Sequence, residues 1–157
     1  MPNILENVYF TENLIELEIN ASDSEAALRR LAKNLRQEDL VTDTFSDAII
    51  QREKVFPTGL ALESVGVAIS HTDVEHVKKQ AMAIGILKNP VKFIMMGTED
   101  VEVEVSVLFM LAIKEPHAQL EFLQALMELF QNGPTITDIV NSKTKSEVMT
   151  KFKQSIS

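Results

Sequence analysis

Residues 101–111 constrain the fold more than any other part of the chain. Val101, Val103, Val105 and Val107 alternate with Glu102, Glu104 and Ser106, and then Leu108-Phe109-Met110-Leu111 is apolar throughout. Successive side chains of a strand point to opposite faces, so the alternating part leaves one face in water and the continuous part leaves neither. Such a strand belongs in the middle of a sheet that is covered on both sides. Residues 81–87 and 91–96 are also apolar on both faces, and 67–69 make a shorter run. Lys88-Asn89-Pro90 reads as the turn between the first two, and Gly97-Thr98-Glu99-Asp100 as the turn before Val101.

Helices must supply the cover. Ile15, Leu17 and Ile19 form a half-exposed strand with Glu16, Glu18 and Asn20, and Ser22-x-x-Glu25 then reads as a capping box. Ala27, Leu28, Leu31 and Leu35 follow at helical spacing. A second helix is expected from 44 to about 54, with Phe45, Ala48 and Ile49 inward, ending before Pro57 because proline disfavours helical geometry in the residue ahead of it. After the strands, Leu120, Leu123, Met127 and Phe130, with Leu126 beside them, predict an amphipathic helix ending at Asn132-Gly133. A short helix at 135–142 and a last one opened by Thr144-x-x-Glu147 complete the chain. The expected fold class is α+β in three α/β/α layers. It is a single domain over residues 1–157, with a mixed β-sheet flanked by helices on both faces.

Charge and composition exclude several functions. The 157 residues carry 15 Lys and Arg against 23 Asp and Glu, a formal charge of −8, and no basic cluster that would displace the counterions of a nucleic acid. With 45% hydrophobic and 24% charged residues, the chain can bury a core. Cysteine is absent, which excludes disulfides, a thiolate nucleophile and Cys-ligated zinc. Residues 1–10 lack the basic-then-apolar pattern of a leader. The longest mostly apolar stretch, 103–113, is interrupted by Glu104 and Ser106 and is too short to cross a bilayer of ~30 Å. A cytoplasmic protein without direct membrane insertion is expected.

Three histidines remain as candidates for chemistry: His71, His76 and His117. His71 lies just past the short buried strand 67–69, where ligand-binding groups converge at sheet ends; the alternative is a satisfied structural histidine. His71-x-Asp73-x-x-His76 invites a metal-dependent hydrolase, but the spacing throws His76 to the other side of an extended chain, so a solvated His76 beside Lys78 and Lys79 is the plainer expectation. Arg52 in Arg52-Glu53-Lys54 is either part of a solvated charged face or an anion clamp, since a guanidinium offers paired donors to a phosphoryl group. His117, in Lys114-Glu115-Pro116-His117, either begins a helix or brings a second imidazole to the end of a central strand.

Taken together, Arg52-Glu53 with Pro57-Thr58-Gly59-Leu60, Gly66-Val67-Ala68-Ile69-Ser70-His71-Thr72-Asp73, and residues 108–113 with His117, Leu120, Leu123 and Leu126 resemble the IIA component of the phosphoenolpyruvate-dependent sugar phosphotransferase system. The resemblance is to the fructose–mannitol superfamily, and the segments look most like its galactitol-type branch. It departs at Ser70, where proline is usual. The resemblance implies a phosphoryl relay in which His71 accepts from the phosphohistidine of HPr and donates to a cysteine on a IIB component, with a membrane IIC engaged indirectly. It implies Arg52 and His117 as further catalytic residues, an orienting or docking role for Asp73, and no cofactor or metal. A regulatory IIA-like phosphoprotein without transport is the other reading that such a resemblance leaves open.

Overall fold

The computed structural model describes residues 4–156. The expected domain boundaries at 1 and 157, and the start of the 1–10 stretch, lie outside the described residues. Strands β1 (Ile15–Ile19), β2 (Gly59–Ala61), β3 (Gly66–Ser70), β4 (Ala81–Ile94) and β5 (Glu102–Ala112) form one sheet in the order β1-β4-β5-β3-β2. The pairs β1–β4 and β3–β5 are parallel, and β4–β5 and β2–β3 are antiparallel. Helices α1 (Ser24–Gln37) and α2 (Phe45–Val55) lie between β1 and β2 in the chain, while α3 (Pro116–Phe130), α4 (Gly133–Val140) and α5 (Lys145–Ile156) follow β5.

The sheet divides the core as the pleat requires. Ala68, Ala83, Leu108 and Met110 face α1 and α2, whereas Val67, Ile69, Ile84 and Phe109 face the C-terminal helices. β5 has the expected course: Glu102 and Glu104 are exposed, and from Val107 onward every residue is buried. It lies between β4 and β3 at the centre of the sheet.

Four local expectations are corrected. Lys88-Asn89-Pro90 is not a turn; β4 runs through it, and the three exposed residues bulge outward while the partner on β5 moves only from Val107 opposite Ile86 to Val105 opposite Val91. Pro90 has no N–H for a ladder, and a bulge is where a continuous strand tolerates that. The α1 cap is Asp23 rather than Ser22, its Oδ1 accepting from the Ala26 N–H at 2.8 Å. On α2, Ile50 joins Phe45 and Ile49 in the core, and Ala48 is half-buried. On α3, the buried stripe is Phe122, Leu126, Leu129 and Phe130, with Leu120 and Met127 exposed. Leu126 and Phe130 face inward as expected, with Phe130 packing on Phe109 at 5.4 Å between ring centroids, while Phe122 and Leu129 take the places expected for Leu120 and Met127.

One glycine holds the site strand against the centre of the sheet. A Cβ on Gly66 would lie 2.0 Å from the Glu104 carbonyl oxygen, a backbone atom that cannot give way. Gly66→Ala is therefore expected to lower stability by about 2–3 kcal/mol, read as a fall in the urea midpoint at unchanged slope; an unchanged midpoint would refute the close approach.

Candidate active site

Because β3 and β5 run parallel, with Ser70 abreast of Met110, the chain leaves β3 at His71 on the same edge where β5 gives way to α3. The last turn of α2 brings Arg52 to that edge. Between them is a cleft of about 450 Å³ whose lining includes Arg52, His71, Thr72, Asp73, Val74, Pro116 and Gln119.

His71 is half-buried, and its Nδ1 lies 3.2 Å from the Ile69 carbonyl oxygen. A carbonyl only accepts, so Nδ1 carries the proton and donates it there, which leaves the Nε2 lone pair unshared. Burial holds the His71 pKa below its ordinary 6.5, with the Arg52 charge acting the same way, against the Ile69 carbonyl and Asp73. The ring is therefore neutral and nucleophilic near pH 7.

Arg52 is lightly held. Its Nη1 is 3.7 Å from the exposed Asp73 carboxylate, its guanidinium lies 4.6 Å from the Phe56 ring centroid, and its buried Nε has no hydrogen-bond partner among the described residues. An exposed pair at that distance contributes little, so the guanidinium is free to bind a stronger anion. Exposed apolar side chains frame the opening: Val74 lines it, Phe56 lies beneath Arg52, and Leu120 follows Gln119.

His117 is brought less far. It sits in the first turn of α3, its side chain 79% exposed, with Nε2 2.7 Å from the Glu121 carboxylate one turn on. Its neighbours Pro116 and Gln119 line the cleft, while His117 itself does not. The expectation of a second imidazole beside His71 is not met in this conformation, because Glu121 captures the ring.

His76 is not the solvated residue expected from Lys78 and Lys79. Its Nδ1 is 2.7 Å from the Thr44 hydroxyl at the start of α2, and its side chain is 20% exposed. Turned that way, it does not converge with His71 and Asp73, and no three His, Asp or Glu side chains gather as a metal site among the described residues. Glu53 is not part of a solvated face either. Its carboxylate accepts from the Thr58 N–H at 2.7 Å and the Thr58 hydroxyl at 2.8 Å, and burial raises its pKa. Sequence reasoning also missed Gln119, whose buried Oε1 has no donor among the described residues. A glutamine on a helix carries no signal that separates it from surface.

A neutral imidazole with one free nitrogen thus lies near a guanidinium at the ends of parallel strands, an arrangement that can hold an anion beside a nucleophile. Residues 8–155 match the family model described as phosphoenolpyruvate-dependent sugar phosphotransferase system, EIIA 2, and the chain belongs to that family. The galactitol-specific EIIA component of Escherichia coli K12 is 30% identical over 122 residues, covering 78% of this chain and 81% of that protein. The transcriptional regulator ManR of Bacillus subtilis is 31% identical over 104 residues, covering 66% of this chain but 14% of the regulator. Among solved structures, the complex of enzyme IIA and phosphorylated enzyme IIB for mannitol from Escherichia coli superimposes with a TM-score of 0.74 at 22% identity, over 93% of this chain and 99% of that one, and shares the fold. No helix among the described residues is long and apolar enough to cross a membrane.

Proposed function

We propose that this chain carries a phosphoryl group on His71 Nε2, taking it from the phosphohistidine of HPr and passing it to a cysteine of a IIB component in galactitol-type polyol uptake. The observation that carries the reading is the Nδ1–H bond to Ile69, which fixes the tautomer and reserves Nε2 for phosphorus. In the first step the Nε2 lone pair attacks phosphorus, the P–N bond to the donor breaks, and the donor imidazole leaves with its electron pair. In the second a thiolate attacks phosphorus and the His71 P–N bond breaks. The transferred group is loose and anionic between the two nitrogens, so Arg52 acts by holding its oxygens. His117 stands at the rim, and a phosphoryl oxygen competes with Glu121 for its Nε2. Asp73 yields Arg52 to the anion. No cofactor enters either step.

These 157 residues contain no cysteine, so the thiol comes from outside them. Support for that partner comes from the mannitol IIA, whose solved complex holds a phosphorylated IIB. The galactitol assignment rests on the 30% identity to the galactitol-specific component. Incubation with phosphoenolpyruvate, Enzyme I and HPr should label His71, and the label should move to a galactitol-type IIB cysteine without added sugar. A mannitol-type IIB should accept far more slowly, since docking surfaces discriminate partners. The likeness to ManR favours a second reading, a domain that binds regulatory partners according to His71 phosphorylation. Label that no IIB accepts, together with phosphorylation-dependent binding to a regulatory protein, would put that reading in place of transport.

A further inference from the structure

We infer that Gln80 is a positioning residue for the phosphoryl relay: from just ahead of β4, its side-chain amide grips the backbone where β5 passes into α3, and so sets the first turn of α3 against the cleft. The inference rests on the function proposed above. The Gln80 Oε1 accepts from the Lys114 N–H at 3.0 Å and from the Glu115 N–H at 3.1 Å. Two converging donors identify that atom as the amide oxygen. Its Nε2 donates to the Asn7 carbonyl at 3.3 Å, and its own backbone carbonyl accepts from the Tyr9 N–H at 2.8 Å. One residue thus joins the segment at 7–9 to the junction at 114–115.

The grip passes to the cleft through a short run of bonds. Glu115 is the N-cap of α3 and makes no side-chain cap of its own. Pro116 follows it, with φ fixed by its ring, and lines the cleft. The Glu115 carbonyl then accepts the Gln119 N–H at 3.0 Å, which closes the first turn on the other α3 residue that lines the cleft. His117 lies between the two. The side chains that this turn offers do not anchor it from the cleft side: Gln119 Oε1 has no donor among the described residues, and His117 pairs with Glu121 on the same helix. The clamp itself is fixed. Ala81, fully buried, pairs with Ala112 on β5 and bridges Tyr9, and the Met82 N–H reaches the Tyr9 carbonyl at 3.1 Å. Gln80 therefore ties the mobile end of α3 to the rigid end of the sheet.

The test is single-turnover transfer from phosphorylated HPr to wild type, Gln80→Met and Gln80→Glu. Methionine has a similar length but accepts neither N–H, and transfer should slow about tenfold, short of the roughly hundredfold that a misplacement of about 1 Å can cost. Gln80→Glu keeps an oxygen for both N–H groups and should recover most of that loss. Double-mutant cycles then locate the effect. In a background carrying His117→Ala and Gln119→Ala, Gln80→Met should add less than about twofold, because the groups it positions are gone. In the Arg52→Ala background, where the missing group belongs to α2, the slowing of about tenfold should persist. A wild-type rate in Gln80→Met, a Gln80→Glu as slow as Gln80→Met, or equal slowing in both backgrounds overturns the inference. Should Gln80→Met fail to fold, Gln80→Asn takes its place, since its shorter amide cannot reach both N–H groups; the same pattern is expected and equal slowing in both backgrounds again overturns it. Wild type that takes no phosphoryl group would overturn the proposed function itself, whereas normal wild-type transfer with any of those variant results overturns this inference alone.

Discussion

His71→Ala is expected to abolish phosphoryl uptake from HPr while leaving the fold intact. Neither other histidine can substitute, since His76 is turned to Thr44 and His117 to Glu121. Peptide mapping under alkaline conditions, which preserve phosphohistidine, should place the label of the wild type between Val67 and Val77. Label that persists in the variant would sink the assignment. The imidazole itself offers an independent check. Burial lowers its folded pKa, so the midpoint of its proton NMR titration should fall below the ordinary 6.5. The same displacement makes the unfolded chain bind more protons as pH falls through 6.5, so the stability tied to neutral His71 is full above that value and declines below it. His71→Ala should remove that part of the slope.

The second large effect belongs to Arg52. Losing a preorganised charged donor in a phosphoryl site costs about 2–4 kcal/mol of transition-state stabilisation, so Arg52→Ala should slow transfer by roughly thirtyfold to a thousandfold. Folding should survive, because the side chain makes only a long ion pair and a contact with an exposed ring. Arg52→Lys should recover a minor part of the rate, as an ammonium is a point charge without the guanidinium fork. Removing the cation also lifts its downward pull on His71, so the NMR titration midpoint should rise. A wild-type rate in folded Arg52→Ala would take this residue out of the site. His117→Ala should cost less than Arg52→Ala, since Glu121 holds its ring outside the cleft.

The layers were legible because they depend on burial alone: the switch in 101–111 from alternation to a continuous apolar run marks the centre of the sheet, and β5 lies there. What failed was local. Lys88-Asn89-Pro90 has turn chemistry, yet pairing on both sides of it kept β4 continuous and expelled the three residues instead. The α3 face was misread in part because helical spacing admits more than one stripe and only the sheet decides between them. At the candidate site, local motifs singled out His71 and Arg52, which the structure brings to one cleft. The Ile69 carbonyl and the bonds from Glu53 to Thr58 were not legible, because a backbone acceptor has no sequence signature and a charged residue five places before its partner looks like surface.

His71 follows a strand in which all five residues are buried, flanked by β2 on one side and β5 on the other. There is no slack in that arrangement. A carrier that swings its cargo on a long tether brings the group to each partner by internal motion and benefits from a high effective concentration. A cargo fixed at the end of a locked strand cannot travel, so donor and acceptor must come to it in turn, each leaving before the other arrives. The working cycle becomes a traffic problem: throughput depends on how fast proteins meet and part, and tight binding by either one would stall it.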